Sequence, residues 1–241
     1  MQPHIRRVLL KLSGEFLFEF NGQVEVNMYL LNVIKQIKRL MRRGVEFVVV
    51  MGGGNLCRGR AMQKNGVGRL VADNVGMLST AINGLVFQDY LKQQSINSQV
   101  YSAFPIGSMA QMFDRAHALQ NIGLGNVVIC VGGTGNPLCS TDSAASLRAI
   151  QLEVDALVKL SNVEGVYNKD PHVHKEAQFI KSMTYQEYLS KHLTVMDTEA
   201  CRQCEMFEVP IRVADCREID AIERIVDGED VGTLIWKGKE T

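Results

Sequence analysis

The sequence predicts an α/β protein, a three-layer α/β/α sandwich with a mostly parallel central sheet. Short β-branched runs alternate with helical patterns along most of the chain, and no Pro- or Gly-rich linker divides its 241 residues. Parallel strands need long crossovers, and segments of helical period stand where those crossovers would be.

Val8 to Leu12 reads as the first strand. Leu30, Ile34, Ile37 and Met41 then recur at helical spacing opposite Lys35, Lys38, Arg39 and Arg42, with Gly44 as the stop. Val45 to Met51 is apolar except for Glu46, as a strand covered on both faces should be. A helix over Ala72 to Gln94, a strand over Gln99 to Ala103 and a weaker helix over Met109 to Leu119 follow. Asn126 to Val131 is the clearest buried strand. Ser140, Thr141 and Asp142 offer N-cap oxygens to a helix running through Val154, and Ala156 to Leu160 is the next strand. From Ser161 to about Lys181 the chain is irregular, too long for an ordinary connection and suited to covering a ligand. Thr184 with Glu187 forms a capping box, and Asp197 or Thr198 can cap a helix through Phe207. Pro210 to Ala214 and Thr233 to Trp236 are strands, separated by a helix around Ile219 to Val226.

Lys+Arg and Asp+Glu both number 26, so the basic surface that non-specific nucleic-acid binding needs is not expected. Apolar residues at 46%, charged residues at 22% and five prolines fit a globular chain rather than a disordered one. Six cysteines, about 2.5% of the chain, fall far below a disulfide scaffold and suit a reducing compartment. The start of the chain does not read as a signal peptide, and no run of about 18 apolar residues suggests a membrane span. A cytoplasmic protein without nucleic-acid or membrane partners is expected.

In an open α/β sheet, ligands collect beyond the carboxyl ends of the strands. Three glycine-bearing segments fall there: Lys11-Leu12-Ser13-Gly14, Gly52-Gly53-Gly54-Asn55-Leu56-Cys57-Arg58 and Gly132-Gly133-Thr134-Gly135-Asn136-Pro137. Such turns let backbone N–H groups approach a phosphate, although neither the P-loop nor the Rossmann fingerprint can be read in them. One glycine turn is most simply a tight bend, whereas three in one sheet, two with a cation nearby, favour phosphate cradles. Lys11 in an apolar run either snorkels or meets an anion, and Arg58 can fork two phosphate oxygens. Asp73 and Asp142 read first as helix caps; the functional alternatives are hydroxyl recognition for Asp73 and alignment of cations or water around a phosphate for Asp142. Cys201 and Cys204 lack a second pair, and His172 and His174 stand alone in a polar loop, so no protein-held metal is expected.

Taken with Thr141-Asp142-Ser-Ala144, Val163-Glu-Gly-Val-Tyr167-Asn-Lys-Asp170 and Val195-Met-Asp197, these motifs resemble the bacterial uridylate kinases of the amino-acid-kinase superfamily, from about Arg7 to Ile235. The resemblance implies the amino-acid-kinase fold and transfer of the ATP γ-phosphoryl group to UMP in pyrimidine nucleotide biosynthesis, with Mg²⁺ carried by the nucleotide. It implies one domain, with an acceptor-binding part over about 1–155 and an ATP-binding part over about 156–241. By resemblance, Lys11, Arg58 and Asp142 serve catalysis. Lys11, Leu12, Ser13, Gly14, Gly54, Arg58, Ser161, Tyr167 and Asp170 bind ATP. Gly53, Asp73, Thr134, Gly135, Asn136, Pro137, Leu138, Cys139, Ser140 and Thr141 bind UMP. A homohexamer inhibited by UTP is also implied. The chain departs from the family's pattern at Ser161, Asn162 and Glu164, over Glu15 to Gly22, and at Val213-Ala214-Asp215. An amino-acid kinase of the same superfamily, or a nucleotide-binding regulatory or storage protein without turnover, are the competing readings.

Overall fold

The computed structural model describes residues 5–20, 24–57, 59–171 and 173–238. Of the residues singled out above, Asn21, Gly22, Arg58 and His172 lie outside these. The elements in chain order are β1 (Arg7–Leu12), the hairpin β2 (Phe18–Phe20) and β3 (Val24–Val26), α1 (Met28–Met41), β4 (Glu46–Met51), α2 (Gly59–Lys64) and α3 (Arg69–Gln93). They continue with β5 (Ser98–Ser102), β6 (Gln111–Met112), α4 (Arg115–Gly123), β7 (Val127–Val131), α5 (Thr141–Gln151) and β8 (Ala156–Ser161). Next come β9 (Val166–Tyr167), β10 (Phe179–Ile180), β11 (Ser182–Thr184), α6 (Tyr185–Ser190), α7 (Thr198–Met206), β12 (Ile211–Asp215), α8 (Ala221–Val226) and β13 (Thr233–Trp236).

Nine strands form one sheet in the order β11-β13-β12-β8-β1-β4-β7-β5-β6. From β12 to β6 every pairing is parallel; only β13, antiparallel to β12, and β11 beside it run the other way. The predicted α/β/α architecture is therefore the observed one. β1 is central because its Val-Leu-Leu run is apolar on both faces, with Val8, Leu10 and Leu12 packed against α1, α3 and α8, and Leu9 packed against α4, α5 and α7. The chain leaves β1 toward β4 on one side and later returns to β8 on the other. A crevice opens beyond the carboxyl ends at such a reversal.

Local chemistry sets most boundaries. Asn27 caps α1 through Tyr29 N, Ser140 caps α5 through Ser143 N, and Thr184 and Glu187 close the predicted capping box of α6. The helix expected from Met109 begins instead at Arg115, because the Asp114 carboxylate accepts from His117 N, while Met109 and Met112 stay exposed. Asp197 precedes α7 without a side-chain capping bond. The irregular stretch after Ser161 contains the small β9–β10 hairpin. α3 is apolar on both sides and, by length and composition, could cross a membrane, yet Ala72, Phe87 and Leu91 are buried in the fold while Val71, Leu78 and Ile82 are exposed.

Candidate active site

Lys11 on β1 and Lys159 on β8 are register partners, so both side chains leave the same face of the sheet near its carboxyl rim. The first turn of α5 lowers Asp142 between them. Lys11 Nζ lies 3.1 Å from Oδ1, and Lys159 Nζ donates to Oδ2 and to the Val195 carbonyl. The three side chains are 12%, 10% and 8% exposed for Lys11, Lys159 and Asp142. Burial alone would raise the Asp142 pKa, but Lys11 and then Lys159 outweigh it and hold the carboxyl below its ordinary value. Burial and the Lys11 charge lower the pKa of Lys159; Asp142, and more weakly Asp197, offset this only in part. Two ammonium groups against one carboxylate leave the trio one positive charge in excess, which Asp197 offsets in part from the Lys159 side, and the burial of the three side chains strengthens the pull of Lys11 on an anion.

The glycine turns follow β1, β4 and β7 at the same carboxyl rim. Gly52 N donates to Leu12 O at 2.8 Å, which zips the turn after β1 to the turn after β4. A Cβ on Gly14 would fall 2.5 Å from Asn55 Oδ1 and 2.7 Å from Gly54 N, so no larger residue fits without opening that seam. After β7, Gly132, Gly133 and Gly135 all take positive φ, and the chain curls through Thr134 to Thr141 into α5. The Thr134 hydroxyl accepts from Asn136 N at 3.2 Å. Pro137 and Leu138 follow in a turn, and Cys139 is an exposed free thiol.

Asp73 does not cap a helix, because α3 starts one turn earlier at Arg69. Its carboxylate pairs with Arg69 and accepts from Leu138 N at 2.9 Å, which places it against the loop after β7. Asp142 is likewise no cap; Ser140 performs that task and frees Asp142 to face the lysines. On the other flank Ser161 ends β8 in register with Asp215, and its carbonyl accepts from Cys216 N. Tyr167 donates to Glu164 at 2.8 Å and meets Phe179 edge-on, while the Asp170 carbonyl accepts from Val173 N and His174 N. Ser161, Tyr167 and Asp170 thus lie on the segment leaving β8, across β1 from Asp73 and the loop after β7.

Lys159 is the residue that inspection of the sequence missed. Its signal was present: a lysine inside Ala-Leu-Val-Lys-Leu, the same kind of apolar run as Val-Leu-Leu-Lys-Leu around Lys11. The thiols of Cys201 and Cys204 are buried, their pKa values pushed up to about 12 by that burial, which keeps them protonated. Among the described residues no three His, Cys, Asp or Glu side chains converge as a metal site.

The model of the amino acid kinase family matches residues 6–215. A uridylate kinase of Coxiella burnetii is 39% identical over 239 residues, covering 99% of this chain and 98% of that protein. One from Pseudoalteromonas atlantica is 41% identical over 230 residues, covering 95% and 93%. The crystal structure of a UMP kinase from Bacillus anthracis superposes with a TM-score of 0.92 at 32% identity, covering 98% of both chains.

Proposed function

The chain belongs to the amino acid kinase family, among its uridylate kinases, and from that premise we propose that the Lys11–Asp142–Lys159 trio is where the phosphoryl group passes from ATP to UMP. The chain is a UMP phosphotransferase; the assignment of its residues is our reading. The observation that carries it is a carboxylate held between two lysines in register, at the reversal of the strand order, where β1 and its neighbour β4 both end in glycine turns.

A UMP phosphate oxygen is already an anionic nucleophile and needs no general base. It forms a bond to the γ-phosphorus as the bond from that phosphorus to the bridging oxygen breaks, leaving ADP. The protein must align two mutually repelling phosphates and spread the charge that builds between them. In this reading Lys11 and Lys159 neutralise the transferring group, and Asp142 keeps the two ammonium groups apart and aimed. Ser13, Gly14 and Gly54 offer main-chain N–H groups to the ATP phosphates, with Leu12 behind them and Arg58 assigned there by resemblance alone. Ser161, Tyr167 and Asp170 take the adenine nucleotide. Gly53, Asp73 and the loop from Thr134 to Thr141 take UMP. The single domain then divides into an acceptor part over about 1–155 and a donor part over about 156–241, as the order of loops along the rim supports.

Asp142 is the carboxylate at this junction, and two lysines already engage it. The residues present do not fit a protein-held Mg²⁺, so we assign that ion to the phosphates of the donor. The setting proposed is the cytoplasm, with neither nucleic acid nor membrane as partner. An assay of ADP release with UMP, CMP, acetylglutamate and glutamate as acceptors tests the assignment: turnover is expected with UMP, and turnover with an amino acid, or nucleotide binding without turnover, would contradict it.

Two further results are expected. Asp73→Asn should raise KM for UMP about tenfold and leave KM for ATP within about twofold, because the lost charge lies only on the acceptor side. Equal losses would remove Asp73 from the UMP pocket. The exposed stripe Val71, Leu78 and Ile82 on α3 suits a contact with a second copy in the proposed homohexamer, for which UTP is the proposed inhibitor. Leu78→Glu combined with Ile82→Glu should shift the sedimentation coefficient to a smaller species; an unchanged value would place the interface elsewhere.

A further inference from the structure

Asn83 is fully buried in the middle of α3, and its side-chain amide is spent on one loop. Nδ2 donates to the Gly52 carbonyl at 2.6 Å and to Asn55 Oδ1 at 2.8 Å, and Oδ1 accepts from Asn55 Nδ2 at 3.3 Å. One turn earlier on the same helix, the buried Thr80 hydroxyl accepts from Gly132 N at 2.7 Å and donates to Met77 O. These bonds reach the glycine turns after β4 and β7. Gly52, held from behind by Asn83, bonds forward to Leu12, and Asn55 Oδ1 forms the wall against Gly14.

We propose that Asn83 and Thr80 are positioning residues that use α3 as a common bar, Asn83 fixing the turn after β4 against the turn after β1, and Thr80 fixing the UMP loop after β7. The inference rests on the reading above, in which those turns hold the two nucleotides. A helix backbone is stiff, so an anchor on it transmits small displacements to the loops it holds. The junction of two phosphates is where a misplacement of about 1 Å can cost about a hundredfold in rate. Asn83 touches neither nucleotide in this account; it acts through Gly52 and Asn55.

The test compares Asn83→Ala, the half-buried partner change Asn55→Ala, their double variant and Thr80→Val. Each is assayed well below its own melting temperature, with Kd for ATP and for UMP measured by calorimetry. Asn83→Ala and Asn55→Ala should each lower kcat about tenfold with both Kd values within about threefold, and the double variant should be no worse than Asn83→Ala within about twofold, because the Asn83–Asn55 bonds that Asn55→Ala removes are already lost in Asn83→Ala, together with the bond to the Gly52 carbonyl. Thr80→Val should raise KM for UMP about fivefold without changing KM for ATP. A kcat within about twofold of the parent in Asn83→Ala, or losses that multiply in the double variant, would overturn the inference. Should Asn83→Ala fail to fold, Asn55→Ala is judged by the same kcat threshold. Lys11→Ala separates the two levels: if it loses turnover while Asn83→Ala and Asn55→Ala do not, only this inference fails, and if it too retains turnover, the reading beneath it fails.

Discussion

Lys11→Ala is expected to lower kcat by about a hundredfold or more, with smaller changes in KM for UMP. The reason is positional. Lys11 projects from the central strand beside Lys159, with the glycine turns after β4 and β7 to one side and the segment leaving β8 to the other. Its charge matters most when negative charge crowds between donor and acceptor, so its removal should be felt in the transition state rather than in binding. The remaining lysine keeps part of the field, which is why a residual rate is expected rather than none. Lys159→Ala should behave in the same way, since the two share one carboxylate. A near-parental kcat in Lys11→Ala would remove that residue from its role.

Asp142→Asn should damage both stability and turnover. The substitution leaves two buried ammonium groups in register without their counter-charge, and breaking a buried ion pair from one side costs about 3–5 kcal/mol. It should also release the lysines from their aim, lowering kcat on the order of a hundredfold. Two signatures separate this from general damage. Nucleotide phosphates supply the missing negative charge, so saturating ATP should raise Tm more in Asp142→Asn than in the parent. The second is acid dependence. Because the folded protein holds the Asp142 pKa below its ordinary value, its contribution is fully present above about pH 4 and is lost as pH falls through the depressed value. The variant should lack that part of the acid-induced fall in Tm. An identical acid profile in parent and variant would mean that Asp142 is not the charged partner described.

Much of this fold is legible in the sequence wherever one segment carries its own signal. Val8 to Leu12 and Asn126 to Val131 are apolar enough to announce buried strands, and Thr184 with Glu187 spells a capping box within four residues. Strands of two or three residues such as β6, β9 and β10 are too short to show a period. The helix near Met109 was displaced because exposed methionines imitate a buried face, while Asp114 decides where the turn begins. The site divides similarly. Lys11 and the glycine turns stand out because a charge among leucines and clustered glycines are local anomalies. Asp73 and Asp142 look like caps in one dimension, and their partners, the Leu138 amide and two lysines, are brought to them only by the sheet. Lys159 and Asn83 gain their meaning from pairings made by folding, the first from strand register and the second from burial against the turn after β4.

The most direct measurement is a crystal structure with UMP and a non-hydrolysable ATP analogue bound together. The phosphates should meet above Asp142, with Lys11 Nζ and Lys159 Nζ both within hydrogen-bonding distance of oxygens on the transferring group and the turns after β1 and β4 lining it. Phosphates that meet elsewhere, with both lysines still turned only to Asp142, would contradict the account.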